Sequence, residues 1–201
     1  MCGLQDDVKA MHESAEVFDN KTEHIFSYLQ VVTACFMSFA HGSNDVANSV
    51  GPFSAIYYTY NSAAACNVNI DVANGGELSC GDSPVEVWVL ALGGFGIVIG
   101  LLTYGYHVMR SIGMELIKIT PARGFCIEFS SATTVIVASM LEIPVSSTQC
   151  QVGSTVAVGM LEGKSGFNWF LFVKTFASWI FTIIFSSLVT AAVFSFAHFA
   201  P

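Results

Sequence analysis

Long apolar runs broken by short polar patches dominate the chain. Residues 25–40 are almost wholly apolar, the patch His41-Gly42-Ser43-Asn44-Asp45 interrupts them, and the run resumes at Val46 and continues to about Tyr60. This pattern predicts a transmembrane helix that is broken, with Gly42 letting the backbone unwind. Residues 61–83 are rich in Asn, Gly and Ser, carry Asp71, Glu77 and Asp82 without any Lys or Arg, and read as a loop. Val87 to Met109 is interrupted only by glycines, and it is long enough to cross about 30 Å of hydrocarbon at roughly 1.5 Å per residue. Pro121 is suited to the first turn of a new helix. Gly124–Leu141 and Val145–Leu161 are two apolar segments that meet at Pro144-Val145-Ser146-Ser147-Thr148. Phe167–Phe199 carries Lys174 near its start, is otherwise uncharged, and reads as a lipid-facing anchor.

Composition explains why the runs dominate. Of 201 residues 53% are apolar and 11% charged, against about 25% charged in a soluble domain. So little charge cannot cover a water-facing surface, and lipid is the main solvent. The net charge is −8, from fifteen acids against seven Lys and Arg. A nucleic-acid partner is excluded, because a phosphate-backbone binder needs the opposite sign. Residues 1–23 are polar and acidic without a secretory signal, and read as a solvated, flexible lead-in.

The basic residues set the orientation. Arg110, Lys118, Arg123, Lys164 and Lys174 fall on one side of the spans, the cytoplasmic side by the positive-inside rule. The lead-in is then cytoplasmic and the loop 61–83 extracellular. Both ends of residues 121–162 lie on the cytoplasmic side, so this segment is expected to dip in and return as a re-entrant hairpin. Length alone would let Gly124–Leu141 cross at about 27 Å, so the hairpin rests on the charge balance and Pro144. Six cysteines show no zinc spacing. Cys66 and Cys80 share the outer loop, where a disulfide is allowed, and Cys35, Cys126 and Cys150 read as small fillers at helix contacts. The sequon Asn20-Lys21-Thr22 lies on the cytoplasmic side and is discounted.

Polar groups inside the spans carry the chemistry. A charge at the bilayer centre costs roughly 2.5–3.5 kcal/mol on the lenient scale, so Asp45 needs a partner. Asp45 offers an anionic oxygen and Asn44 and Asn48 neutral ones, a set that suits an alkali cation such as Na+. The alternative is that the two asparagines hydrogen-bond across helices as glue; Gly42 and Asp45 beside them favour the ligand reading. Ser146, Ser147 and Thr148 stand at a helix start, where free N–H groups and hydroxyls can hold an oxyanion, or where a single serine simply caps the helix. Glu128, in the preceding arm, is a cation ligand, a proton carrier or a partner for Arg123.

Two motifs now add a resemblance. The run Phe39-Ala40-His41-Gly42-Ser43-Asn44-Asp45-Val46-Ala47-Asn48-Ser49-Val50-Gly51-Pro52 and the run Pro144-Val145-Ser146-Ser147-Thr148-Gln149-Cys150-Gln151-Val152-Gly153 resemble the second half of the PiT-type inorganic phosphate transporters. Trp88, Gly93-Gly94, Gly100, Thr120-Pro121, Arg123-Gly124-Phe125 and Ile127-Glu128 agree with it, and the likeness extends over roughly residues 22–196. It implies an all-α integral membrane protein, residues 24–201 being one inverted-repeat half with a broken helix, full spans and a re-entrant hairpin. It implies symport of inorganic phosphate with sodium or protons, without a cofactor. By that likeness Ser146, Ser147, Thr148, Asn44 and Asn48 bind phosphate, while Asp45, Glu128 and His41 bind or couple the cation. The chain departs from the family in carrying the Asn-Asp motif once rather than twice, in Ser147 where threonine is frequent, and in Gln149 and Gln151 where animal members often have His and Lys.

Partners expected on this basis are phosphate, the coupling cation, the lipid of a plasma membrane (an organellar or vacuolar membrane second), and a missing N-terminal half or another copy of the chain. The polar lead-in looks like the end of the family's large cytoplasmic loop. The alternative function is a transport-inactive membrane subunit that associates with full-length transporters. An enzyme is not expected, because no nucleophile with a base is readable and a His-x-x-x-Asp pair gives a metal only two ligands.

Overall fold

The computed structural model describes residues 2–65, 85–163 and 166–200. Seven α-helices carry nearly all of them: α1 (Cys2–Ser14), α2 (Asn20–Ala65), α3 (Val87–Gly100), α4 (Tyr106–Met114), α5 (Pro121–Met140), α6 (Ser147–Leu161) and α7 (Trp169–Phe199). A π-helical turn, Leu101–Gly105, joins α3 to α4 without a break. Among the described residues three stretches, Asn20–Tyr58, Val87–Arg110 and Trp169–Phe199, are long and apolar enough to cross a membrane. The protein is an all-α membrane protein.

Three expectations change. The helix predicted to break at Gly42 does not break: α2 has 46 residues and runs through the polar patch, about 69 Å at 1.5 Å per residue. His41, Asn44, Asp45 and Asn48 stand at i, i+3, i+4 and i+7, so an intact helix already gathers them on one face, and that face has partners. The loop expected from residue 61 begins no earlier than 66, because α2 continues to Ala65. The lead-in expected to be flexible is helical over Cys2–Ser14, with Met11 and Ala15 buried. Cys66 and Cys80, and with them the proposed disulfide, lie outside the described residues, as does Lys164.

The chain forms two compact units. One comprises residues 18–109 and 120–158. In it α2 and α5 run parallel: Phe26 packs on Phe125 with ring centroids 5.3 Å apart, and Thr33 meets Glu128 further along. At Gly124 a Cβ would collide with the Gln30 amide of α2. The buried positions of α5, Arg123, Gly124, Ile127, Ser131, Ala132, Val135 and Ala138, fall at the three- and four-residue spacing of one helix stripe. Antiparallel to α2 lies α3, with Gly93 against Val50 and Trp88 edge-on to Tyr57 at 5.4 Å. Helices α5 and α6 form a hairpin, closed where Ser131 Oγ meets Ser154 Oγ at 3.0 Å.

Local chemistry sets the hairpin's ends. Thr120 is extended and Pro121 opens α5 as expected, but the Ala122 N–H is capped by a carboxylate of α2, Glu23 Oε2, at 3.2 Å. At the other end Ile143 N donates to Ala138 O at 2.9 Å and Glu142 N to Ser139 O at 3.2 Å, the paired bonds of a Schellman stop. Its left-handed residue is Glu142, at φ 58°, and Pro144 then prevents the helix from resuming.

The second unit comprises residues 1–17, 110–119 and 159–201. Leu116 and Ile117 are buried, and Ile117 pairs with Phe167 in an antiparallel bridge. Asn168 holds this junction: its Oδ1 accepts from Leu171 N at 3.0 Å as the N-cap of α7, while its own N–H donates to Leu116 O at 3.0 Å. Lys118 Nζ donates at 3.0 Å to the His12 carbonyl near the end of α1, a favourable place for a cation.

Candidate functional site

The polar face of α2 meets the turn between α5 and α6, inside the first unit. Asn44 Nδ2 donates to the Val145 carbonyl at 2.8 Å and to Asp45 Oδ1 at 3.2 Å. One turn on, Asn48 Nδ2 donates to the same carbonyl at 3.0 Å. Ser147 Oγ donates to Asp45 Oδ1 at 3.0 Å and lies 2.6 Å from His41 Nδ1. The other imidazole nitrogen, Nε2, is 3.4 Å from Asp45 Oδ2. Asn44 and Ser147 are buried, at 4% and 2% exposure.

The hairpin side is a helix N-terminus. Ser146 is the N-cap of α6: its Oγ accepts from Gln149 N at 3.3 Å. The N–H groups of Ser147 and Thr148 precede the first intrahelical acceptor, as in any α-helix, and the helix dipole favours negative charge there. Ser146 is exposed and Thr148 half-buried at this end. On the α2 side, Pro52 has no N–H, so the Asn48 carbonyl lacks its usual intrahelical donor. The asparagine amide protons go to the Val145 carbonyl, so the amide oxygens are what these side chains offer next. One carboxylate, neutral oxygens and a bundle of N–H and O–H donors therefore share one turn of space.

His41, Asn44, Asp45, Asn48 and Ser147 are brought together, with Ser146 and Thr148 in the same helix start. Glu128 is not with them. It lies twelve residues before the end of α5, about 18 Å along the helix axis, where Thr33 Oγ1 donates to its Oε2 at 2.9 Å beside the Gln30 amide. Arg123 lies under the Phe18 ring, 4.8 Å from its centroid. Cys35 and Cys126 are exposed rather than packed at helix contacts, while Cys150 is half-buried in the first turn of α6. Sequence reading missed the Val145 carbonyl, and Thr33 and Gln30 around Glu128. The signal for Val145 was its place between Pro144 and the cap residue, where no intrahelical donor claims its oxygen.

The profile of the phosphate transporter family matches residues 2–198, and the chain belongs to that family. The family is one of transporters, not enzymes. The chain is 41% identical over 229 residues to a sodium-dependent phosphate transporter of Toxoplasma gondii, covering 98% of this chain and 24% of that protein. It is 42% identical over 169 residues to sodium-dependent phosphate transporter 1-B of Danio rerio, covering 84% and 23%. A phosphate-repressible phosphate permease of Neurospora crassa is 37% identical over 199 residues, covering 98% and 32%. A solved structure described as the sodium-dependent phosphate transporter matches with TM-score 0.72 and 31% identity, over 94% of this chain and 44% of that one. The chain thus spans about a quarter to a third of these curated relatives.

Proposed function

We propose that this chain forms about half of a sodium-dependent symporter of inorganic phosphate, acting with a missing half or with another copy. The observation that carries this is the meeting of Asp45, Asn44 and Asn48 on α2 with the Val145–Ser147 turn of the hairpin. A bare carboxylate repels an oxyanion by about 4 kcal/mol at 4 Å and an effective dielectric of 20, so the two can share a site only with a cation between them. Asp45 with the asparagine oxygens takes that cation, and the start of α6, with Ser146, Ser147 and Thr148, takes phosphate. His41 and Glu128 serve the coupling ion, Glu128 from its separate position on α5. In this reading residues 121–162 form a re-entrant hairpin, residues 61–83 lie outside a plasma membrane, and cation and phosphate cross together by alternating access. The names of the relatives favour sodium over protons as the coupling ion.

The test is labelled phosphate uptake in phosphate-uptake-deficient cells expressing residues 1–201, with sodium present or replaced by choline and membrane insertion confirmed. Saturable, sodium-dependent uptake that Asp45→Asn and Ser146→Ala abolish is the expected result. Uptake unchanged in both variants removes the site assignment. Insertion without uptake, together with altered uptake by a co-expressed full-length transporter, would establish the non-transporting subunit instead.

A further inference from the structure

Three aromatic rings stand together where α2 and α3 leave their apolar stretches. The stretch on α2 ends at Tyr58 and the one on α3 begins at Val87, so Tyr57 and Trp88 each lie one residue inside a boundary. Phe53 and Tyr57, one turn apart on α2, are nearly parallel, at 19° with centroids 6.3 Å apart. Trp88 stands close to perpendicular to both, at 87° and 6.2 Å from Phe53 and at 81° and 5.4 Å from Tyr57. The α2 rings and the indole are thus two walls of a corner, and it is open: Phe53 is 44% and Trp88 45% exposed. Glu86 stands at its edge, exposed, with Oε2 accepting from Trp88 Nε1.

Aromatic faces attract cations, indole most of all. An indole N–H that donates to a carboxylate gains electron density in its ring, and the charge of Glu86 adds to the attraction. Residues 22–109 contain no Lys or Arg, and among the described residues no Lys or Arg is placed over these rings. The cation that suits the corner comes from outside the chain, and the position decides its kind. At the ends of spans, tryptophan and tyrosine sit at the level of the lipid headgroups, whose cations are choline and ethanolamine. The ammonium of ethanolamine carries three N–H groups that need acceptors, whereas the rings offer only their faces and Glu86 already spends one oxygen on Trp88. A trimethylammonium has no N–H to satisfy and presents methyl groups to the rings. We infer that Phe53, Tyr57, Trp88 and Glu86 form a binding site for the trimethylammonium of a phosphatidylcholine headgroup. The outer leaflet follows from the orientation proposed above; the headgroup assignment depends neither on that orientation nor on phosphate transport.

Phosphatidylcholine and phosphatidylethanolamine with the same acyl chains share their net charge and differ at the ammonium, so a choice between them tests the site. The full chain is placed in nanodiscs of equal parts phosphatidylcholine, phosphatidylethanolamine and phosphatidylglycerol, and the lipids it retains on release are read by native mass spectrometry. Retained phosphatidylcholine should exceed phosphatidylethanolamine about three- to tenfold. Tyr57→Leu should bring that ratio to about one, and Glu86→Gln should lower it at least about twofold. Tyr57→Phe, which keeps the ring, should preserve it, as should Tyr28→Leu, which removes an exposed ring near the other end of α2. Equal retention of the two lipids by the wild type, or a preference that survives Tyr57→Leu, overturns the site. Should Tyr57→Leu fail to insert, Glu86→Gln, on an exposed residue ahead of α3, decides in its place, and an unchanged ratio there overturns the site equally. A second arm adds millimolar free choline chloride. Retained phosphatidylcholine should not change, because its acyl chains hold the headgroup at high effective concentration; displacement would assign the corner to a soluble cation and overturn the lipid.

Discussion

Asn44 and Asn48, one turn apart on α2, donate to a single backbone oxygen, that of Val145, at 2.8 and 3.0 Å. A carbonyl has two lone pairs, so the two side chains saturate it and each is a reserve for the other. Asn48 is exposed and Asn44 buried. Asn48→Ala should therefore cost roughly 0.5 kcal/mol of stability and Asn44→Ala about 1–2 kcal/mol. The double variant should exceed the sum by about 0.5–1 kcal/mol, because only then is the Val145 carbonyl left without a donor. Unfolding of the four proteins in mixed micelles measures this, and strict additivity would show that the carbonyl finds another donor.

Glu142 holds the left-handed position of the turn that ends α5, at φ 58°. A side chain there costs about 1 kcal/mol relative to glycine. Glu142→Gly should raise the unfolding free energy by up to about 1 kcal/mol, and the β-branched Glu142→Val should lower it by more than that. Equal stability of all three would mean that the turn relaxes out of the left-handed region.

Gly93 sits where any Cβ would strike a methyl of Val50, which is how α3 comes close to α2. Gly93→Ala should destabilise the protein by about 1–3 kcal/mol through overpacking. Adding Val50→Ala vacates the space, so the double variant should regain most of the loss despite its smaller side chain at position 50. A double variant less stable than Gly93→Ala would show that the contact is not the source of the cost.

What could be read from the sequence was what depends on spacing within one segment. Pro121 at the start of α5, the stop before Pro144 and the apolar spans follow from local rules, and the structure places them there; of the two readings open for the serines after Pro144, a capping serine is present, and it is Ser146. The motif around Asp45 and the serines around 147 could be picked out separately because both put polar groups in apolar runs. What could not be read depends on partners far along the chain. Gly42 looked like a break because His41, Asn44 and Asp45 had no visible partner; with Val145 and Ser147 opposite, the helix can stay intact. A backbone carbonyl such as that of Val145 has no residue-type signature. The cap on Ala122 comes from Glu23, 99 positions away, and helix α1 is polar enough to pass for a tail.

Thr33 and Glu128 make up a polar contact of their own, Thr33 Oγ1 donating to Glu128 Oε2 at 2.9 Å. Along α2 this contact is twelve residues from Asp45, and along α5 Glu128 is equally far from the hairpin turn, so both helices set a separation of about 18 Å. A cation held by Asp45 cannot be shared with Glu128 across that length, and sites so far apart should be energetically independent. In a double-mutant cycle read as sodium affinity, Asp45→Asn and Glu128→Gln should add to within about 0.3–0.5 kcal/mol. Thr33→Val and Glu128→Gln should not add, because the carboxylate and the hydroxyl act as one unit; their coupling should be about 0.5–1.5 kcal/mol. Strong coupling between positions 45 and 128, above roughly 1 kcal/mol, would require one cation site to draw on both helices at once, and would place Glu128 at the hairpin tip in the sodium-bound state.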